Sequence, residues 1–295
     1  MNQEDIEKLK KAGTITVQVK EYARTIIKPN MPLLEIAEKI EAKIIELGGK
    51  PAFPVNLSIN EIAAHSTPSF NDSQTASGLL KVDIGVHLNG LIADTAFSLD
   101  LENNEENKKL IEASEKALEE STKIIKYQIQ LKEIGSVIEK TIKSLGFTPI
   151  INLSGHSIEK YSLHAGITIP NYNNSREKPL LQGVYAIEPF STSGVGSVRD
   201  GKKSGIYHLE KSGNVRDNFA REVLAFIQEE YKTLPFCSRW LQKKFGTRAF
   251  LALQRLEEAK LLHHYPQLIE AGNGKVAQAE HTIIITEKEK IVTTE

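Results

Sequence analysis

The sequence predicts an α+β fold: two halves, each a helix pair followed by antiparallel strands, with a helical segment inserted before the last strand. Three observations lead there. Apolar residues recur at helical spacing over residues 4–48 and again from about 104 to 146, the pattern of helices that bury one face. Each helical stretch precedes a strand-rich one, and the second of these spans 148–191. After about residue 194 the style changes to frequent Gly and Ser and then to further helices. A unit met twice in the same order reads as a weak twofold internal repeat, although its residues do not visibly match.

Taken in order, Ile6, Leu9 and Ala12 face one side of a first helix, and Leu33, Ile36, Ile40, Ile44 and Ile45 one side of a second. Asn30 and Pro32 separate the two, and Gly48-Gly49 closes the second, as a C-terminal glycine does. Residues 52–64, rich in Phe, Pro and Val, are expected to be extended. The segment from Val82 to Ala96 holds Asn89-Gly90, the strongest short-range hairpin signal, because both central residues of a type I′ turn need positive φ. With that turn, Leu88 pairs with Leu91, Gly85 with Asp94 and Asp83 with Ala96. Paired residues share a face, so Asp83 and Asp94 point the same way, diagonal neighbours about 7–8 Å apart at the backbone. Gly85 between them is expected to leave room for a guest.

The second helix pair ends at Gly146, and the strands after it carry His156, His164 and Glu188. Gly and Ser lead from 194 to 213 into helical segments over 216–263, with Trp240, Leu241, Phe245, Phe250, Leu251, Leu253 and Leu256 as their apolar faces. The chain returns to a strand over 276–285. The expected organisation is a main domain of residues 1–193 and 273–295 and a helical insertion of 194–272. Charges in the insertion are mixed, Arg239, Lys243 and Lys244 against Glu257 and Glu258, which suits a structural wall and not a nucleic-acid reader.

Composition bounds the function. The 295 residues are 40% hydrophobic and 25% charged with net charge -1, which offers no sign of a general affinity for nucleic acid or anionic membrane. One cysteine, Cys237, excludes an internal disulfide and fits a reducing compartment. The N-terminus is polar and acidic, and no run approaches the roughly 18 apolar residues of a membrane span. A cytoplasmic globular protein is expected.

The chemistry lies in acids embedded among apolar residues. Two buried carboxylates repel and are costly unless paired. Asp83 and Asp94 therefore meet either a lysine or arginine from elsewhere or a pair of cations about 3.5–4 Å apart. Glu188 in Val184–Phe190 and Glu280 in Val276–Ile285 are single carboxylates in apolar strands, and His156 follows glycine in Leu153-Ser154-Gly155-His156. Each alone has a plain structural explanation. Together, four carboxylates and one imidazole form a ligand set for hard-to-intermediate cations. Neither the cysteines of structural zinc nor the closely spaced acids of a calcium loop are present.

Asp83, Asp94, His156, Glu188 and Glu280, in that order and setting, resemble the methionine aminopeptidases of the pita-bread fold. Pro51-Ala52-Phe53-Pro54, Asn60-Glu61-Ile62-Ala63-Ala64-His65, Ile92-Ala93-Asp94-Thr95, Leu153-Ser154-Gly155-His156 and Glu280-His281-Thr282 carry the resemblance, which covers nearly the whole chain. The insertion, with Tyr231-Lys232-Thr233-Leu234-Pro235-Phe236-Cys237-Ser238-Arg239-Trp240-Leu241, resembles the type 2 subfamily, and the lack of a charged N-terminal extension resembles its archaeal members. Two features depart from the family: Ala279 replaces the usual aromatic before Glu280, and the loop 66–80 is short.

The resemblance implies two divalent ions (Co, Mn, Fe or Zn), bridged by Asp94 and Glu280, with Asp83 chelating the second and His156 and Glu188 completing the first. They would acidify a shared water. Glu188 would shuttle its proton, and His65 and His164 would position substrate and stabilise the oxyanion. Phe53, Leu163, Phe190 and Tyr265 would form the methionine recess. The implied partners are peptides with N-terminal methionine and a small second residue, presented by ribosome-associated nascent chains, with a monomeric enzyme and no membrane or sequence-specific nucleic acid. An X-Pro peptidase (prolidase-like) and a non-catalytic pita-bread binding protein are the rivals. The first generally carries a further N-terminal domain, and the second has lost ligand residues that this chain keeps.

Overall fold

Helices α1 (Gln3–Ile26) and α2 (Leu33–Glu46) form where the apolar spacing puts them. Asn2 caps α1 by accepting the Asp5 backbone N–H, which satisfies one otherwise orphaned donor. Asn30 at φ 66° turns the chain between the helices, and Gly48 at φ 84° ends the second. The computed structural model describes residues 2–295, and among these every named strand pairing is antiparallel.

Strands β1 (Lys50–Pro51), β2 (Asn56–Ile59) and β3 (Ile62–Ala64) lead to the long hairpin of β4 (Leu79–Leu88) and β5 (Leu91–Asp100). Asn89 and Gly90 both have positive φ, 52° and 85°, and the register is the one the turn demands: Leu88 opposite Leu91, Gly85 opposite Asp94, Asp83 opposite Ala96. One hairpin face, Val82, Ile84, Val86 and Phe97, packs on Ile15, Val19 and Ala23 of α1 and Ile36, Ile40 and Ile44 of α2. The other face carries the aspartates.

The second half repeats this plan. Helices α3 (Glu105–Ile124) and α4 (Leu131–Ser144) precede β6 (Thr148–Pro149), β7 (Ser154–Ile158), β8 (Thr168–Pro170), β9 (Gly183–Ile187) and β10 (Phe190–Thr192). Ile134, Ile138 and Ile142 of α4 pack on Tyr185 and Ile187 of β9, so alternate residues of that strand face away from the helices. Between the halves lies an apolar layer of Phe53, Ile92, Leu163, Ala186 and Ile284.

The segment 194–272 is less helical than expected. Val198–Leu209, read as part of a Gly/Ser lead-in, is the long strand β11, and Leu262–Glu270, where helical residues were expected to run on to 263, is its partner β13. Between them stand α5 (Asn218–Glu230), β12 (Phe236–Cys237), α6 (Ser238–Phe245) and α7 (Ala249–Glu258). β13 pairs with β3, which joins the insertion to the first half. The final strand is also divided, into β14 (Val276–Gln278) and β15 (His281–Ile285), followed by β16 (Lys290–Val292). β14 joins β10 and β6, whereas β15 joins β9, β7, β8 and β16. Ala279 is buried against α3 and α4, within the apolar core of the second half.

Candidate active site

Glu188 and Glu280 do not lie inside strands, as expected, but at breaks between two strands. β9 ends at Ile187 and β10 begins at Phe190, with Pro189 removing a ladder donor; β14 ends at Gln278 and β15 begins at His281. The breaks are matched, since Ile187 pairs with His281 and Phe190 with Gln278. At this kink both strands change sheets, and each turns its carboxylate into the space between the halves.

The hairpin supplies the opposite wall and is stitched to the kink by side chains. The Asp94 N–H donates to Thr282 Oγ1 at 2.7 Å, and that hydroxyl donates to Asp94 O at 2.8 Å. Thr95 Oγ1 donates to Glu280 O, and Ser98 Oγ to Gln278 O, each at 2.8 Å. Asp94 and Glu280 are thereby fixed against each other. His156 arrives on β7, pairing with Ala186, with Nε2 3.8 Å from Asp94 Oδ2 and 3.6 Å from Glu188 Oε1.

A cavity of about 340 Å³ opens here, lined by all five of these residues together with Phe53, His65, Leu163, His164, Phe190 and Tyr265. The structure thus brings every residue singled out in the sequence to one place. Gly85 does not leave an empty berth, however: a Cβ there would sit 2.2 Å from the Phe53 ring, so the missing side chain accommodates that aromatic. Residues the sequence reading passed over also line the cavity, among them Asn56, Ser154 and Thr168. Asn56 had a visible signal, a lone amide in a Phe-Pro-Val-Asn-Leu run, the same kind of signal that marked Glu188.

The electrostatics are those of a site built for cations. No lysine or arginine is among the lining residues. Burial pushes the Asp83 carboxyl up to about 7 against the opposing pull of Gln278. Asp94, Glu188 and Glu280 are held well above their ordinary range, by burial first and then by repulsion from neighbouring carboxylates. His156 falls to about 3, chiefly by burial. Asp83 Oδ1 and Asp94 Oδ1 are buried without a hydrogen-bond partner, and ligand atoms of Asp94, His156 and Glu280 lie within 4.8 Å of one another. Unpartnered acceptors, clustered carboxylates and an imidazole kept neutral fit divalent metal.

Two more imidazoles border the cavity. His65, at φ 57°, has Nδ1 3.3 Å from the Pro266 carbonyl. A carbonyl only accepts, so the ring proton sits on Nδ1 and the lone pair on Nε2. Burial drops its pKa to about 4, leaving the ring neutral at pH 7. His164 stands at the cavity mouth, its ring centroid 4.4 Å from that of His156. Other histidines serve elsewhere: His87 Nδ1 accepts the Gly90 N–H, His264 stacks on Tyr207, and His281 bonds Thr294. His208 lies nearer, tilted against Tyr265 and 3.2 Å from Glu210.

Residues 7–287 match the metallopeptidase family M24. The chain is similar to a methionine aminopeptidase of Pyrococcus abyssi, 49% identical over 99% of this chain and 100% of the relative, and to one of Methanocaldococcus jannaschii, 45% identical over the full length of both. Among solved structures, a methionine aminopeptidase of Thermotoga maritima superposes with a TM-score of 0.72 at 23% identity, covering 100% of this chain and 98% of that one. A thermophilic Arx1 reaches 0.87 at 15% identity over 99% and 91%. A Pyrococcus furiosus prolidase reaches 0.64 at 19% identity, but only 64% of its chain is covered. These likenesses establish the pita-bread fold.

Proposed function

The chain belongs to metallopeptidase family M24 and to the methionine aminopeptidases within it, hydrolases of peptides with N-terminal methionine, and from that premise we propose how its cavity works. Two divalent ions would be held by Asp83, Asp94, His156, Glu188 and Glu280. When bound, such a pair supplies Lewis acidity for the scissile carbonyl and an acidified water. The convergence of five ligand-type residues in one cavity that no lysine or arginine lines supports this most directly. Co, Mn, Fe and Zn all suit carboxylate and imidazole ligands.

Glu188 acts as proton carrier. Its Oε2 lies 3.4 Å from Gln278 Nε2, which leaves Oε1 to take a proton from the attacking water and deliver it to the leaving amine. His65 presents a lone pair, so it positions substrate by accepting an N–H and does not serve the oxyanion. His164 donates to the developing oxyanion. Phe53, Leu163, Phe190 and Tyr265 form a recess for an unbranched, polarizable side chain, and the walls admit only a small second residue. Residues 1–193 and 273–295 form the catalytic domain of this scheme, and 194–272 the insertion that walls it. Among the described residues no helix is long and apolar enough to cross a membrane. We place the enzyme in the cytoplasm, as a monomer acting on nascent chains at the ribosome.

The test is release of methionine from Met-Ala-Ser and Met-Leu-Ser by chelated protein, with each of Co²⁺, Mn²⁺, Fe²⁺ and Zn²⁺ restored in turn. Metal-dependent cleavage of the first peptide and little of the second is expected. Full activity without metal overturns the ligand scheme, and preferential cleavage of X-Pro dipeptides moves the assignment to a prolidase.

A further inference from the structure

Asn56 lines the cavity, is 5% exposed, and has no task in the scheme above. Its amide orientation is set by the Pro54 carbonyl, which accepts from Nδ2 at 2.8 Å. A carbonyl cannot donate, so Nδ2 faces Pro54 and Oδ1 faces away. That Oδ1 is buried with no partner, a state that costs free energy until a donor arrives. In the β2–β4 ladder Asn56 pairs with Asp83, so the two side chains share a face. Asp83 Oδ1 is likewise buried and unpartnered. This end of the cavity therefore offers unpartnered acceptors, while His164 at the mouth offers a ring N–H.

A substrate with a free N-terminus has a matching polarity: its primary amine brings two N–H donors, and its scissile carbonyl brings an acceptor. We propose that Asn56 Oδ1 accepts a hydrogen bond from the substrate α-amino group, so that Asn56 is a substrate-binding residue selecting primary over secondary amines. The inference rests on the aminopeptidase assignment and adds to it the group that recognises the free end. A secondary amine has one hydrogen fewer and sets an alkyl group against a buried acceptor. Sites built to hydrogen-bond a group reject analogues lacking it far more strongly than apolar pockets reject a missing methylene.

The experiment compares kcat/KM for Met-Ala-Ser and N-methyl-Met-Ala-Ser in the metal-loaded wild type, Asn56→Leu and Asn56→Ala. Equilibrium binding of methioninol and N-methylmethioninol is measured by calorimetry alongside. Wild type is expected to favour the primary amine at least about tenfold in both assays. Either variant is expected to weaken the primary amine about tenfold, the order of one hydrogen bond, while leaving the N-methyl compounds within about threefold and metal content unchanged. Asn56→Ala covers the case in which the bulkier leucine does not fold. A wild type that cleaves Met-Ala-Ser without discriminating against the N-methyl peptide overturns the role of Asn56, as does a variant in which both amines weaken alike. A wild type that releases no methionine from Met-Ala-Ser overturns the aminopeptidase assignment instead.

Discussion

A single proton decides much at the residue scale. Because the Pro266 carbonyl accepts a hydrogen bond from His65 Nδ1–H, that ring can only accept toward the cavity, and His65 and His164 have different work. Replacing His164 by Ala is expected to lower kcat by about 10²–10³, the usual cost of an oxyanion donor, whereas His65→Ala raises KM as well. Steady-state kinetics with metal analysis checks this, and either variant emerging metal-free would make that histidine a ligand. The carboxylates predict a pH dependence in metal-free protein. Asp83 has its folded pKa raised from 3.8 to about 7, so stability present below pH 4 is lost as pH rises through 7. His65 and His156, lowered from 6.5 to about 4 and about 3, contribute stability above pH 6.5 that is lost on acidification. The two effects oppose each other below pH 6.5; above it the cavity's carboxylates titrate, opposed by the single buried Lys81, which burial holds well below its ordinary range. Calorimetry of chelated protein is therefore expected to show Tm falling from pH 6.5 to 8, and added metal to flatten that slope. A chelated Tm that rises over this range would contradict the buried-carboxylate account.

At the scale of elements, Glu270 ties both ends of the insertion together. Wholly buried at the end of β13, it accepts Val195 and Gly196 N–H on Oε1 at 2.6 and 3.1 Å, and Gly272 and Gly274 N–H on Oε2 at 2.7 and 2.8 Å. Gly194 is required beside it, because a Cβ there would meet the carboxylate at 2.3 Å. Glu270→Gln turns one acceptor oxygen into a donor facing donors. It is expected to cost about 2 kcal/mol or more, the order of buried unsatisfied groups, seen as a lower urea midpoint; an unchanged midpoint would show the clamp to be dispensable. The paired strand breaks at 188–189 and 279–280 act at the same scale. They convert two ordinary strands into a wall that carries two carboxylates.

Across the whole molecule, a buried ion pair locks the insertion to the first half. Arg239 on α6, wholly buried, donates through Nη1 and Nη2 to the two Glu41 oxygens at 2.7 Å and through Nε to Pro68 O at 3.1 Å. Trp240 Nε1 and Val55 N also donate to Glu41, at 2.9 and 3.4 Å. This cluster joins α2, α6, the short loop after His65 and the segment that carries Phe53 and Asn56. Removing one partner of a buried pair typically costs about 3–5 kcal/mol, because the other charge is stranded. Glu41→Ala is expected to lose stability on that scale in chemical denaturation. A loss under about 1 kcal/mol would mean that the insertion holds to the first half without the lock.

The sequence by itself determined the helix pairs and the hairpin with its register. Each depends on short-range physics: a helical period, a cap, a two-residue turn that puts Gly85 opposite Asp94. An acid among apolar neighbours is legible for the same reason, since its cost is local. Tertiary structure decided the rest. Val198–Leu209 shows little apolar patterning because it earns its place as a strand from β13, some 60 residues later. The breaks at Glu188 and Glu280 exist because their strands serve two sheets at once, with Asp94 and Thr282 bonded across 188 residues of chain. Phe53 filling the space over Gly85, the proton on His65 Nδ1 and the unpartnered oxygen of Asn56 all depend on which distant backbone comes to lie beside them, and no local period records that.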